Sequence, residues 1–151
     1  ENMYRFAGWR FLELGPRLQR GLQIARVTSW FTGEDVPDGS VEMLLEIADS
    51  VMSHRRRYSV SAGTQSALDL LVLDPLNPRS VIFQLAELRD QLETLPGGIE
   101  DGQLSPAARL ALQLHTDLVV AEPSRMTQET LDKLAGDIGM LSNLVATAYF
   151  T

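Results

Sequence analysis

Residues 77–94, NPRSVIFQLAELRDQLET, set Val81, Leu85, Leu88 and Leu92 at three- and four-residue spacing. An α-helix turns about 100° per residue, so these side chains fall on one stripe that can face a core. Asn77 supplies a capping side chain, and Pro78 suits the first helical position, where its missing N–H costs nothing. Pro96-Gly97-Gly98 stops the segment after Thr94. This stretch reads as a helix, and the same period extends from it in both directions.

Toward the N-terminus, a segment from about Met3 to Phe31 carries Phe11, Leu14, Leu18, Leu22 and Ala25 on one stripe. Gly15-Pro16 interrupts it, and the lost hydrogen bond and ring clash predict a kink or break. A second helix starts at Asp38 or Ser40 and aligns Val41, Leu44, Leu45, Ala48, Val51 and Met52 on a stripe that continues onto Arg55 and Tyr58. A short apolar helix from about Gln65 to Leu73 follows, closed by Asp74-Pro75. On the C-terminal side, the acidic, Gly-containing stretch Ile99 to Gln103 reads as a mobile loop. Ser105-Pro106 then opens a helix to about Glu122, and Thr127 caps a last one carrying Leu131, Leu134, Ile138, Leu141, Leu144, Val145 and Ala148. No stretch alternates cleanly enough to demand a strand. Short connections favour antiparallel neighbours, so the expected architecture is all-α: one domain over residues 1–151, an antiparallel bundle of about six helices.

Composition narrows the function. With 44% hydrophobic and 22% charged residues, the 151-residue chain is globular rather than disordered. The absence of Cys excludes disulfides, thiolate metal ligation and cysteine nucleophiles. The two histidines, His54 and His115, cannot build an all-histidine metal site, and no cofactor motif is present. A net charge of −7 argues against a nucleic-acid surface. No apolar run approaches the roughly 18 residues of a membrane span, and a cytoplasmic location is expected. The chain opens at Glu1 rather than Met, which suggests a fragment whose missing part holds the chemistry.

The arginines are the informative charged set. Arg10, Glu13, Arg17 and Arg20 recur every three or four residues and share a face. Guanidinium groups in such an array suit phosphate or carboxylate recognition, and equally an intrahelical salt-bridge ladder. Arg55 lies on an apolar stripe, where a buried charge must be paired, with Glu13, Asp69 and Asp74 as candidate ion-pair partners; a ligand-facing role is the alternative. Arg79, placed near the start of its helix, is the fifth candidate anion contact. Asp69 and Asp74 could form a carboxylate pair, although a cap at Asp74 is the plainer reading. Lys133, the sole lysine, reads as a solvated charge. Trp9, Phe11, Trp30 and Phe31 read as core anchors or as part of a partner-binding surface.

Two stretches are more specific. Gly8-Trp9-Arg10-Phe11-Leu12-Glu13-Leu14-Gly15, with Arg17, Leu18 and Arg20 behind it, is one. Leu68 through Asp74 and on through Asn77-Pro78-Arg79-Ser80-Val81 to Gln84-Leu85 is the other. With the Arg55 to Tyr58 cluster between them, they resemble the bacterial alpha-E domain family in order and spacing, over what looks like the C-terminal half of the family domain. The family is named for an all-helical fold with a Glu-Arg motif; here the corresponding dipeptide is Gln19-Arg20, which puts a neutral amide in place of the acid. Pro16 stands where the family usually carries a basic residue, and His54 where it often has Tyr.

The resemblance implies context rather than mechanism. Alpha-E domains are encoded beside, or fused behind, circularly permuted ATP-grasp ligases, often with transglutaminase-like peptidases. The expectation is therefore an accessory or interaction domain without catalytic activity of its own, requiring no cofactor, whose partner is an ATP-grasp ligase in trans or in the same polypeptide. The alternative is a small-ligand module in which Arg10, Arg17, Arg20, Arg55 and Arg79 bind a phosphate, nucleotide or acidic peptide. A homo-oligomer formed through an open apolar face is a third possibility.

Overall fold

A computed structural model of the chain describes residues 2–33, 36–47 and 63–150 and, within the first helix, side chains from residue 12 onward. Among the described residues six α-helices follow in order: α1 (Asn2–Phe31), α2 (Ser40–Ile47), α3 (Thr64–Leu68), α4 (Val81–Thr94), α5 (Pro106–Val119) and α6 (Gln128–Tyr149). α3 passes directly into a π-helical turn, Asp69–Leu73, and a 3₁₀ turn at Pro123–Arg125 precedes α6. The fold is all-α, as the periodicity requires.

α1 packs on α4 and α6, α4 packs on α5, and α5 closes onto α6. The π-helical turn plugs this bundle, touching α1, α4 and α5, and its Leu70, Leu71 and Val72 are fully buried. The stripes read from the sequence meet around it. Leu14, Leu18 and Ala25 come from α1; Val81, Leu85, Leu88 and Leu92 from α4; Leu131, Ile138, Leu141 and Val145 from α6. Removing a leucine side chain of this kind from water contributes about 1.5–3 kcal/mol. Leu22 is only partly buried and Ala148 is exposed, at the margins of their stripes.

Four expectations are corrected. α1 continues through Gly15-Pro16 as one helix, so the break, one of the two outcomes expected there, does not occur. Pro16 is exposed beside Leu12, itself 75% exposed, so the carbonyl that loses its donor lies on the wet side of the helix, open to solvent. α4 begins at Val81, not at Asn77-Pro78, because Ser80 takes the cap: its Oγ accepts from Phe83 N at 3.1 Å. Asn77 is engaged elsewhere, its Oδ1 accepting from Arg79 N at 3.1 Å and its amide donating to Leu70 O at 2.9 Å. α5 ends at Val119 rather than Glu122, and the chain turns through Pro123.

The stretch read as a mobile loop is an antiparallel hairpin, β1 (Ile99–Glu100) with β2 (Gln103–Leu104). Asp101 and Gly102 adopt φ of 52° and 76°, the left-handed pair that an Asp-Gly turn supplies. The second helix is described only as Ser40–Ile47; its expected continuation through Arg55 and Tyr58 lies outside the described residues.

The start of the hairpin depends on Gly98, where a Cβ would collide with the Leu92 carbonyl oxygen and stand 3.0 Å from those of Glu93 and Leu95. Gly98→Ala is expected to lower stability by at least about 2 kcal/mol, read as a fall in the urea midpoint. Gly136→Ala, on α6 with nothing within 4 Å, should instead stabilise by up to about 1 kcal/mol.

Candidate functional site

The arginine face of α1 meets α4. One turn separates Glu13 from Arg17, and Gln84, Glu87 and Gln91 recur at three- and four-residue spacing along α4, so both sets line the seam between the two helices. Arg17 Nη1 donates to Gln84 Oε1 at 3.4 Å. Its Nη2 lies 3.8 Å from Glu13 Oε2 and 4.0 Å from Glu87 Oε2, and the guanidinium carbon stands 5.8 Å from the centre of the Phe83 ring. Gln84 is itself fully buried and donates to the carbonyls of Pro78 at 2.6 Å and Ser80 at 3.1 Å. Gln91 donates to Glu13 Oε2 at 2.7 Å. Two buried atoms in this cluster, Arg17 Nε and Gln91 Oε1, have no hydrogen-bond partner.

This arrangement is an interhelical ion pair of the kind expected of Arg55, made here by Arg17. Glu13 is one of its partners, as the sequence allowed. Glu87, Gln84 and Gln91 were not anticipated; their signal was a polar edge beside the Val81, Leu85, Leu88 and Leu92 stripe. Arg20 is exposed and lines a shallow groove of about 230 Å³ with Glu13, Pro16 and Arg17. Arg79 is exposed in the turn before α4, a correction to its expected place inside that helix. Asp74 is buried and its Oδ1 accepts from Leu76 N at 3.0 Å, so it braces its own turn. Asp69 is half-buried in the π-helical turn. Arg55 and the Arg10 side chain lie outside the described residues.

Between α4 and α5, Arg89 Nη1 stands 3.3 Å from His115 Nδ1. A guanidinium only donates, so Nδ1 is the acceptor and the imidazole is neutral. Burial, and then the Arg89 charge, lower the His115 pKa below its ordinary value. Among the described residues no group of three or more His, Asp or Glu could hold a metal ion, and no helix is long and apolar enough to cross a membrane.

A second feature was missed from the sequence. A groove of about 420 Å³ opens where α5 ends and α6 begins, floored by Leu114, Leu118, Ala121, Met126 and Leu134. Lys133, on its rim, bonds Asp137 at 2.8 Å, and that bond, with the charges of Asp137 and Asp117, raises the ammonium pKa.

The model of a family described as a predicted alpha-helical domain with a conserved ER motif matches residues 1–150. Uncharacterized proteins of Mycobacterium bovis and of two strains of Mycobacterium tuberculosis are 27% identical over 145 residues, 93% of this chain. The match spans only 16% of those proteins' own length. No solved structure matches the chain. The sequence holds no Glu-Arg dipeptide, and Gln19 and Arg20 are both exposed on α1.

Truncating Arg17 to Ala leaves Glu13 and Glu87 facing each other without the cation and should cost about 1–3 kcal/mol in chemical denaturation. Arg17→Met, which keeps an apolar stem against Phe83, should cost less. His115 titrates the other way from a stabilising cation. Its folded pKa is lowered, so the unfolded chain takes up the proton first. Stability should therefore fall as pH drops below about 6.5 and level off once the folded imidazole is also protonated. Denaturation midpoints from neutral to mildly acid pH should show this slope in the parent and a smaller one in His115→Gln.

Proposed function

The chain belongs to the Alpha-E family, and on that premise we propose that it works as a helical accessory and interaction domain of an ATP-grasp amide ligase system. It docks on the ligase or stands in one polypeptide with it, in the bacterial cytoplasm where ATP is supplied. The reading is carried by the way Arg17 is held. The most enclosed of the candidate ligand-binding arginines whose side chains are described is engaged by Glu13, Gln84 and Glu87 in joining two helices. A phosphate, nucleotide or acidic peptide approaching it would meet two carboxylates, which disfavours the ligand-binding alternative.

Two further points support the accessory role. The matched segment is a small part of the mycobacterial relatives, 16% of their length, so in those proteins a region of this kind sits beside much more chain. The ligase as the partner comes from the context that the family resemblance implies. On this reading the activation of a carboxylate and the formation of the amide belong to the ligase, and the helical domain positions or stabilises it.

The purified chain should co-elute in a fixed ratio with the separately expressed ATP-grasp ligase of the same organism in size-exclusion chromatography. Separate elution at concentrations far above micromolar would remove the proposal.

A further inference from the structure

The groove between α5 and α6 is apolar beyond its floor. Val120, directly after the end of α5, lines the groove and at 73% exposure carries the apolar surface outward over the rim. A pocket shaped for a small molecule encloses most of its apolar lining, whereas this one spreads its lining along the surface. Its two long walls are helices, with Leu114 and Leu118 four residues apart on α5 and Thr130, Lys133, Leu134 and Asp137 at helical spacing on α6. A third helix laid in such a channel inserts side chains at the same spacing.

The rim has a charge bias. Three acids, Asp117, Glu122 and Asp137, stand against two cations, Arg125 and Lys133. Arg125 is paired with Glu122 at 3.4 Å and Lys133 with Asp137 at 2.8 Å, which leaves Asp117 without an ion pair among the described residues. Glu129, exposed on the first turn of α6, and the net charge of −7 reinforce the same sign. From this complementarity we infer that the α5–α6 groove docks a basic amphipathic helix of a partner protein, its aliphatic side chains over the leucine floor and its Lys or Arg residues against Asp117. The inference rests on the reading of the chain as an interaction domain and names the surface and the partner chemistry that domain uses.

A helical peptide with Leu at positions i, i+3, i+4 and i+7 and Lys elsewhere, labelled for fluorescence anisotropy, is the probe, and the same peptide with Glu in place of Lys is its counterpart. The full chain should bind the Lys peptide saturably and the Glu peptide not at all. Val120→Lys and Asp117→Lys, both surface changes checked for folding by circular dichroism, should each weaken binding about ten-fold. Asp90→Lys, an exposed change on α4 that makes the same charge difference as Asp117→Lys, should leave it unaltered. Absence of saturable binding, or equal weakening by Asp90→Lys, overturns the inference. So does a concentration-dependent dimer abolished by Val120→Lys, which would assign the groove to a second copy.

The ligase separates this inference from the broader reading. A ligase that binds the parent and Val120→Lys equally overturns the groove and leaves the accessory role standing. A ligase that fails to bind, while the Lys peptide binds at Val120 and Asp117, keeps the groove and removes the ligase as partner.

Discussion

The fold turns on four buried polar side chains in one tight passage of chain, Asp74, Asn77, Ser80 and Gln84, none more than 6% exposed. Each is hydrogen-bonded to backbone. Asn77 donates to the Leu70 carbonyl inside the π-helical turn, and Ser80 Oγ donates to the Asp74 carbonyl at 2.7 Å while capping α4. Gln84 reaches back to Pro78 O. A polar group buried without a partner costs about 1–3 kcal/mol, so the set is stabilising only while every member is in register. That requirement fixes where the apolar plug Leu70–Leu73 ends and in which direction α4 leaves.

From that passage the constraint propagates to α1. Gln84, held by two carbonyls, presents its own oxygen to Arg17, and Arg17 gathers Glu13 and Glu87. The Arg17 side chain is 23% exposed, so its worth lies less in net stability than in registering α1 against α4, since a shift of either helix would strand a charge. A seam of this kind resists the rearrangement that an anion site would need. Among the described residues the α5–α6 groove has ion pairs only on its rim, Arg125 with Glu122 and Lys133 with Asp137, and its floor is apolar, which is why the docking proposed above is assigned to that face.

The helices were legible because Leu and Val at three- and four-residue spacing leave little choice of structure, and the caps at Ser105 and Thr127 are chemically unambiguous. The failures share a cause: each was a competition between neighbours that local rules cannot rank. Asn77 and Ser80 are both good caps, and the outcome depended on Leu70 O, seven residues back, claiming the Asn77 amide. Asp101-Gly102 was a hairpin signal outweighed by acidity and glycine content. For the site, shared-face arithmetic correctly grouped Glu13, Arg17 and Arg20, but the residues that decide what Arg17 does lie more than sixty positions away on α4. The α5–α6 groove was invisible because it exists only between two elements.

Gln19 bears on what kind of surface this chain uses. It is exposed on α1, as is Arg20, so exchanging an acid for an amide there removes at most a surface charge interaction, about 0–1 kcal/mol. The fold has no need of an acid at that position, since the α1–α4 seam is built from Glu13 and Arg17, one turn away. An acidic partner to Arg20, where the family resemblance places one, would therefore serve contacts outside the helix rather than its packing. A chain that carries Gln there retains the whole scaffold and the acidic, apolar groove at its opposite seam. On the docking proposed for that groove, recognition rests on Val120 and Asp117 more than on the α1 dipeptide.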